Sequence, residues 1–129
     1  MSVKQFFSVI GAITFLYGIG LLVLPNQVAV AHGASQLSNF TVFNLRILGA
    51  AFVAGGIMYW MAMPARISYG RRAILAFTLV LDSAIFILHL LELSTKGGFV
   101  TMHWIDMAIT FLTAAGAAYF ISKEKDLKF

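Results

Sequence analysis

The stretch that decides the fold is residues 73–91, which read AILAFTLVLDSAIFILHLL. It contains one charged residue, Asp82, and it approaches the roughly 20 apolar residues needed to cross a hydrocarbon core about 30 Å thick. Backbone groups inside lipid must be satisfied within a helix or a closed barrel, and this run lacks the alternation of barrel strands. Residues 73–91 are therefore predicted to form a membrane-spanning helix.

Three similar apolar runs flank this stretch, and they cover residues 6–24, 40–63 and 102–121. The first run and the following Ala29-Val30-Ala31 imitate a secretory signal with its cleavage site, but the run is longer than a typical signal core. We therefore expect a retained first span. Four spans joined by short loops predict an all-α integral membrane protein, a single transmembrane domain over residues 1–129 that folds as an up-down antiparallel four-helix bundle. The conformation of loop 25–39 is left open.

The composition excludes several classes of protein. The chain is 60% hydrophobic and 11% charged, whereas soluble domains carry about 25% charged residues, so a soluble globular domain and a disordered chain are both excluded. There is no cysteine, which rules out disulfides, thiolate metal sites and cysteine nucleophiles. The net charge of +4 fits basic cytoplasmic loops, and we expect no nucleic-acid partner.

The basic residues predict the orientation. If both termini lie on one side, that side carries most of the basic residues: Lys4, Arg66, Arg71, Arg72, Lys123, Lys125 and Lys128. The other side carries only Arg46 and Lys96. Because cytoplasmic loops are enriched in Lys and Arg, both termini are predicted to be cytoplasmic, in a multi-pass protein of the inner membrane.

Ionisable residues inside the spans are the candidate site. They are Arg46, Asp82, His89, Glu92, His103 and Asp106. Counting about 1.5 Å per residue from the inner ends places all except Asp82 in one layer near the outer interface. Such residues usually face the bundle interior and mark function. The layer is interpreted as a polar cluster that binds a ligand or fastens helices, with Arg46 paired to Glu92 or Asp106. Asp82, near mid-membrane, is expected to contact Thr113, Thr110 or Tyr17.

Simpler interpretations of three of these residues stay open. Arg46 can extend its long side chain to the outer headgroups, and Glu92 and His103 can be solvated at the interface.

Two spacings also resemble metal-ligand pairs, His89-x-x-Glu92 and His103-x-x-Asp106, since residues three apart share a helix face. His89 and His103 are alternatively candidates for the axial ligands of a b-type haem. The favoured interpretation has no cofactor.

Small and hydroxyl-bearing residues recur on one face of each predicted helix. The faces comprise Gly11, Thr14 and Gly18; Gly49, Ala50 and Gly56; Thr78, Asp82 and His89; and His103, Asp106, Thr110 and Thr113. Small faces allow membrane helices to approach closely, and hydroxyls can bond across them. We expect these faces to meet in the interior.

Residues 17–25, YGIGLLVLP, close the first run, and residues 44–49, NLRILG, open the second, followed by Gly55-Gly56. This pattern resembles the small uncharacterised bacterial four-span membrane proteins catalogued as a domain of unknown function, which are similar in appearance to DoxX-like proteins. The resemblance implies a bacterial cytoplasmic-membrane protein and no established activity. It does not extend to the acidic and histidine residues of the third and fourth helices.

These observations favour a non-enzymatic protein: an accessory bundle, or one that binds lipid or another small amphipathic molecule. The expected partners are the lipid bilayer, such a small molecule, and further copies or subunits of a membrane complex. One alternative is a metal- or haem-binding redox protein that uses His89 and His103. A second alternative is a structural subunit of a larger membrane complex.

Overall fold

A computed structural model describes residues 1–34, 37–65, 68–96 and 100–123 of the chain. Within these ranges the protein is all-helical, with five helices: α1 (Val3–Val23), α2 (Pro25–Ala31), α3 (Asn39–Ala62), α4 (Tyr69–Lys96) and α5 (Thr101–Lys123). All except α2 are long and apolar enough to cross a membrane, which suggests a multi-pass membrane protein. The all-helical class with four candidate spans is confirmed. The four-helix bundle, the insertion and the cytoplasmic termini stay predictions.

The chain divides into two compact units, Met1–Pro64 and Ala65–Phe129. The first unit contains α1, α2 and α3, and the second contains α4 and α5.

Glycine contacts hold the first unit together. A Cβ added to Gly18 would lie 2.8 Å from the carbonyl oxygen of Gly49, and one added to Gly56 would lie 2.8 Å from that of Gly11. Gly11 thus faces Gly56 and Gly18 faces Gly49, so the two helices are antiparallel. At these positions backbone meets backbone, which only glycine permits. The predicted small-residue faces are confirmed at Gly11, Gly18, Gly49 and Gly56, whereas Ala50 is exposed.

Side-chain contacts add to the glycine seam, the close contact of α1 and α3 at Gly11, Gly18, Gly49 and Gly56. Ser2 caps α1 with a capping box, in which its hydroxyl accepts from the Gln5 N–H and the Gln5 side chain accepts from the Ser2 N–H. The indole of Trp60 on α3 donates to the carbonyl of Ser8 on α1 at 3.3 Å. Phe7, fully buried, stacks on Tyr59 with ring centroids 6.0 Å apart.

The loop left open by the sequence contains α2. Pro25 occupies its first turn, and Gly33 follows its end with φ of 85°, a left-handed conformation that suits glycine. The Gly33 N–H donates to the Val30 carbonyl and the Ala34 N–H to the Ala29 carbonyl. These two bonds form a Schellman motif, which satisfies carbonyls that a helix end otherwise leaves open.

In the second unit, helix α4 begins at Tyr69, four residues before the predicted span 73–91. The Arg71 N–H donates to the Ser68 hydroxyl at 3.2 Å, and the Arg71 guanidinium donates to the Ala65 carbonyl at 2.8 Å. These bonds let Arg71 sit buried in the first turn of α4. The helix runs over 28 residues, beyond both ends of the predicted span 73–91.

Candidate functional site

Three polar side chains converge where α4 ends and α5 begins. His89 and Glu92 lie near the end of α4, and His103 lies in the first turn of α5. The His103 Nε2 and Glu92 Oε2 atoms are 4.0 Å apart, and the rings of His89 and His103 meet edge to face with centroids 5.8 Å apart. We call these residues the His–Glu cluster. The structure thus brings together three of the six site residues predicted from the sequence.

Helix geometry explains the His–Glu cluster. Residues three apart on a helix are neighbours on its surface, so α4 presents His89 and Glu92 together. His103, in the first turn of α5, contacts both. The side chains of His103 and Glu92 are 17% and 35% exposed, so the cluster is partly shielded and still reachable from outside the pair.

One hydrogen bond fixes the tautomer of His89. Its Nδ1 lies 2.9 Å from the carbonyl of Ile85, and a carbonyl can only accept, so Nδ1 carries a proton. In the neutral ring Nε2 is then the acceptor nitrogen. The cluster therefore combines an acceptor on His89 with the carboxylate acceptors of Glu92.

Asp82 lies outside the His–Glu cluster. It is seven residues from His89, about 10 Å along α4, and its carboxyl group is in contact with the Thr113 side chain on α5. Of the three partners expected from the sequence, Thr113 is confirmed. Tyr17, another of the three, contacts His32 within the first unit.

Arg46 and Asp106 complete the set of predicted site residues. Arg46 lies on α3 in the first unit and is exposed, whereas Asp106 lies on α5, three residues after His103, and is half-buried. The predicted ion pair of Arg46 with Glu92 or Asp106 stays a prediction.

The threonine hydroxyls bond to their own helices. Thr78 donates to the carbonyl of Ile74, Thr110 to that of Asp106 and Thr113 to that of Ile109, each four residues earlier on the same helix. Such back-bonding is open to any threonine in a helix, because the carbonyl four residues back is always within reach. Thr113 combines this local bond with the contact to Asp82 on α4.

The metal-ligand spacings come together only in part. Among the residues that the structure describes, no group of three or more His, Asp or Glu side chains is arranged to hold a metal ion. His89, Glu92, His103 and Asp106 were the four candidate ligands. The close approach of His89 and His103 is the geometric feature that bears on the haem alternative.

Sequence reasoning missed a polar contact in the first unit. The Tyr17 hydroxyl lies 3.5 Å from His32 Nε2, and His32 Nδ1 lies 2.7 Å from the Val28 carbonyl. Because Nδ1 must donate to that carbonyl, Nε2 of the neutral ring accepts from Tyr17. Pro25 and Gly33, which frame α2, are the signals that could have indicated a short helix here.

Comparison with known proteins adds no relative. The chain matches no family model, and searches of curated proteins and of solved structures find no match. The functional conclusion therefore rests on the residues themselves.

Proposed function

We propose that this chain is a small, non-enzymatic, multi-pass protein of the bacterial cytoplasmic membrane that binds the polar head of a lipid or another amphipathic molecule at the His–Glu cluster. The observation that carries the proposal is the convergence of His89, Glu92 and His103 from two helices that are otherwise largely apolar. Ionisable groups within membrane helices are costly, and they are commonly kept for function.

The predicted orientation supports this use of the cluster. The excess of basic residues near the termini favours cytoplasmic termini, and the cluster then lies toward the outer interface. An amphipathic molecule in the outer leaflet would keep its tail beside the apolar helices while its head reaches Glu92. The resemblance to small four-span bacterial proteins agrees with this location.

The chemistry of the cluster favours a head that donates hydrogen bonds. The Glu92 carboxylate and the Nε2 atom of His89 both accept, and the carboxylate carries a negative charge. A head with amino or hydroxyl groups carries the donors that match acceptors of this kind. Hydrogen bonds to a charged group contribute about 1.5–3 kcal/mol each, so Glu92 should dominate the affinity.

The test is to purify the protein in mild detergent and to quantify co-purifying lipids by mass spectrometry. Glu92→Gln removes the charge at the cluster, and Asp82→Asn makes the same chemical change about two turns away, outside it. We expect Glu92→Gln to reduce retention of the specific molecule roughly tenfold, while Asp82→Asn keeps it. Equal retention by the wild type and Glu92→Gln, with helicity intact in both, would contradict the proposal.

The competing hypothesis is a haem- or metal-dependent redox protein that uses His89 and His103. The observation in its favour is the 5.8 Å separation of the two rings. Absorbance in the Soret region and metal analysis of the folded protein distinguish the two. Stoichiometric haem or metal that is lost in His89→Leu and His103→Leu would replace the proposal above.

A further inference from the structure

The short helix α2 runs back along α1. A Cβ added to Gly20 would lie 3.4 Å from Val28 Cγ2, and Tyr17 lies 3.5 Å from His32. Later residues of the α2 segment therefore lie beside earlier residues of α1, so the two helices are antiparallel. Tyr17 is six residues before the end of α1, so His32 lies about 9 Å back along α1 from that end.

The length of α1 indicates how deep in the membrane the end of α2 lies. Its 21 residues extend about 32 Å, close to the roughly 30 Å thickness of a hydrocarbon core. A helix that just spans the core has its ends at the two boundaries. A segment that returns along its last two turns therefore enters the hydrocarbon region.

The two ends of α2 are built differently, and the difference fits this direction. At its start the cap residue Leu24 makes no side-chain hydrogen bond, and the exposed Asn26 and Gln27 are polar. At its end the Schellman motif at Gly33 closes the carbonyls of Val30 and Ala29. Lipid tolerates helix ends only when their backbone groups are satisfied, so the closed end suits the deeper position.

The side chains of α2 change in the same direction. Asn26 and Gln27 are followed by residues 28–31, which are all valine or alanine. The polar residue at the deep end, His32, has both ring nitrogens in contacts, one with the Val28 carbonyl and one with the Tyr17 hydroxyl. Its polarity is thereby compensated within the first unit.

We propose that α2 is a re-entrant helix, which dips into the membrane from the Val23 end of α1 and is anchored at its deep end by the contact of His32 with Tyr17. It acts as a strap over the last turns of α1, covering Gly20 with Val28. This inference is independent of the function proposed for the His–Glu cluster.

The test measures depth at four positions that are all exposed in the structure: Asn26, Gln27, Val30 and Ala31. The chain has no cysteine, so single cysteine substitutions at these positions can carry nitroxide spin labels without background. In proteoliposomes, each label's collision rate with oxygen, which concentrates in hydrocarbon, is divided by that with a water-soluble nickel chelate. Because the four positions share exposure, a difference in this ratio reports depth.

We expect the ratio at Val30→Cys and Ala31→Cys to exceed that at Asn26→Cys and Gln27→Cys at least about twofold, since the two pairs differ by about 6 Å along the helix. Equal ratios would place α2 flat on the membrane surface, and a reversed order would place its Gly33 end outward. Either result overturns the re-entrant helix.

The anchor is tested separately with Tyr17→Phe, which removes the hydroxyl and keeps the ring that packs on Phe52. We expect the ratio at Ala31→Cys to fall toward that at Asn26→Cys as the deep end is released. Tyr119→Phe, the same change on α5, should leave the ratio unaltered. An unchanged ratio in Tyr17→Phe would overturn the anchoring role of His32 and Tyr17.

Discussion

Two pairs of helices, α1 with α3 and α4 with α5, pack against each other through different kinds of contact. In the first pair, α1 and α3 touch through their backbones at Gly11, Gly18, Gly49 and Gly56. In the second pair, α4 and α5 meet through side chains, with Thr78 and Leu75 fully buried and Asp82 in contact with Thr113. Residues 1–64 contain no Asp or Glu at all, whereas the second unit contains every acid of the chain.

This difference shows which kind of helix interface can hold functional groups in a small membrane protein. A glycine seam gains its stability from dispersion and leaves little room for a functional group between the helices. A seam of side chains can include ionisable residues at a cost in stability. The candidate site therefore lies in α4 and α5, the pair that packs through side chains.

The largest effect is expected for Gly18→Ala. Its Cβ would lie 2.6 Å from the backbone nitrogen of Val53, and backbone cannot move aside as a flexible side chain can. Overpacking typically costs about 1–3 kcal/mol, and we expect the upper end, a loss of about 3 kcal/mol in the free energy of unfolding. Denaturant titration in detergent, followed by circular dichroism, measures it.

Gly55→Ala is the matched control for this change. Its Cβ would meet only Thr14 Cγ2, at an ordinary 3.6 Å, and alanine is favoured over glycine within a helix by about 1 kcal/mol. We expect unchanged or slightly higher stability. If Gly18→Ala were as mild as Gly55→Ala, the backbone contact that distinguishes the first pair would be refuted.

An intermediate effect is expected for the contact between Asp82 and Thr113. A double-mutant cycle with Asp82→Ala and Thr113→Val should give a coupling energy of about 1 kcal/mol, within the range measured for polar contacts between membrane helices. The cycle separates the bond between the helices from the bond that Thr113 makes to its own helix. Additive effects of the two substitutions would mean that this contact does not hold the second pair.

The smallest effect is expected for Thr110→Val, although Thr110 is buried. Its hydroxyl donates to the carbonyls of Asp106 and Met107 on the same helix, and these bonds persist when α4 and α5 separate within the membrane, so they cancel between the two states. We expect a change of less than about 0.5 kcal/mol, measured in the same unfolding titration. A loss above about 1 kcal/mol would indicate that the hydroxyl also acts across the pair.

Much of this architecture follows from residue patterns. Apolar runs of the right length predict the four long helices, because lipid forces backbone groups to bond within each helix. The spacing of Gly11 and Gly18, and of Gly49 and Gly56, predicts the close faces. His89, Glu92 and His103 could be placed at one depth because the rise of a helix is regular.

Other features depend on choices that no pattern reveals. A threonine has two acceptors within reach, one on its own helix and one across the interface, and the sequence does not rank them. Arg71 looks like a loop residue until the Ala65 carbonyl is seen to accept from it. The course of α2 depends on the turn at Leu24 and on Gly33, so the contact of His32 with Tyr17 could not be foreseen.

The placement of Trp60 gives the first pair a fluorescent reporter. Trp60 donates to Ser8 and lies beside Gly11, where an added Cβ would come within 2.8 Å of its ring, so its emission depends on the closeness of α1 and α3. Trp104, the second of the two tryptophans, is exposed on α5. In a Trp104→Phe variant, the emission of Trp60 during denaturation therefore follows the separation of α1 from α3.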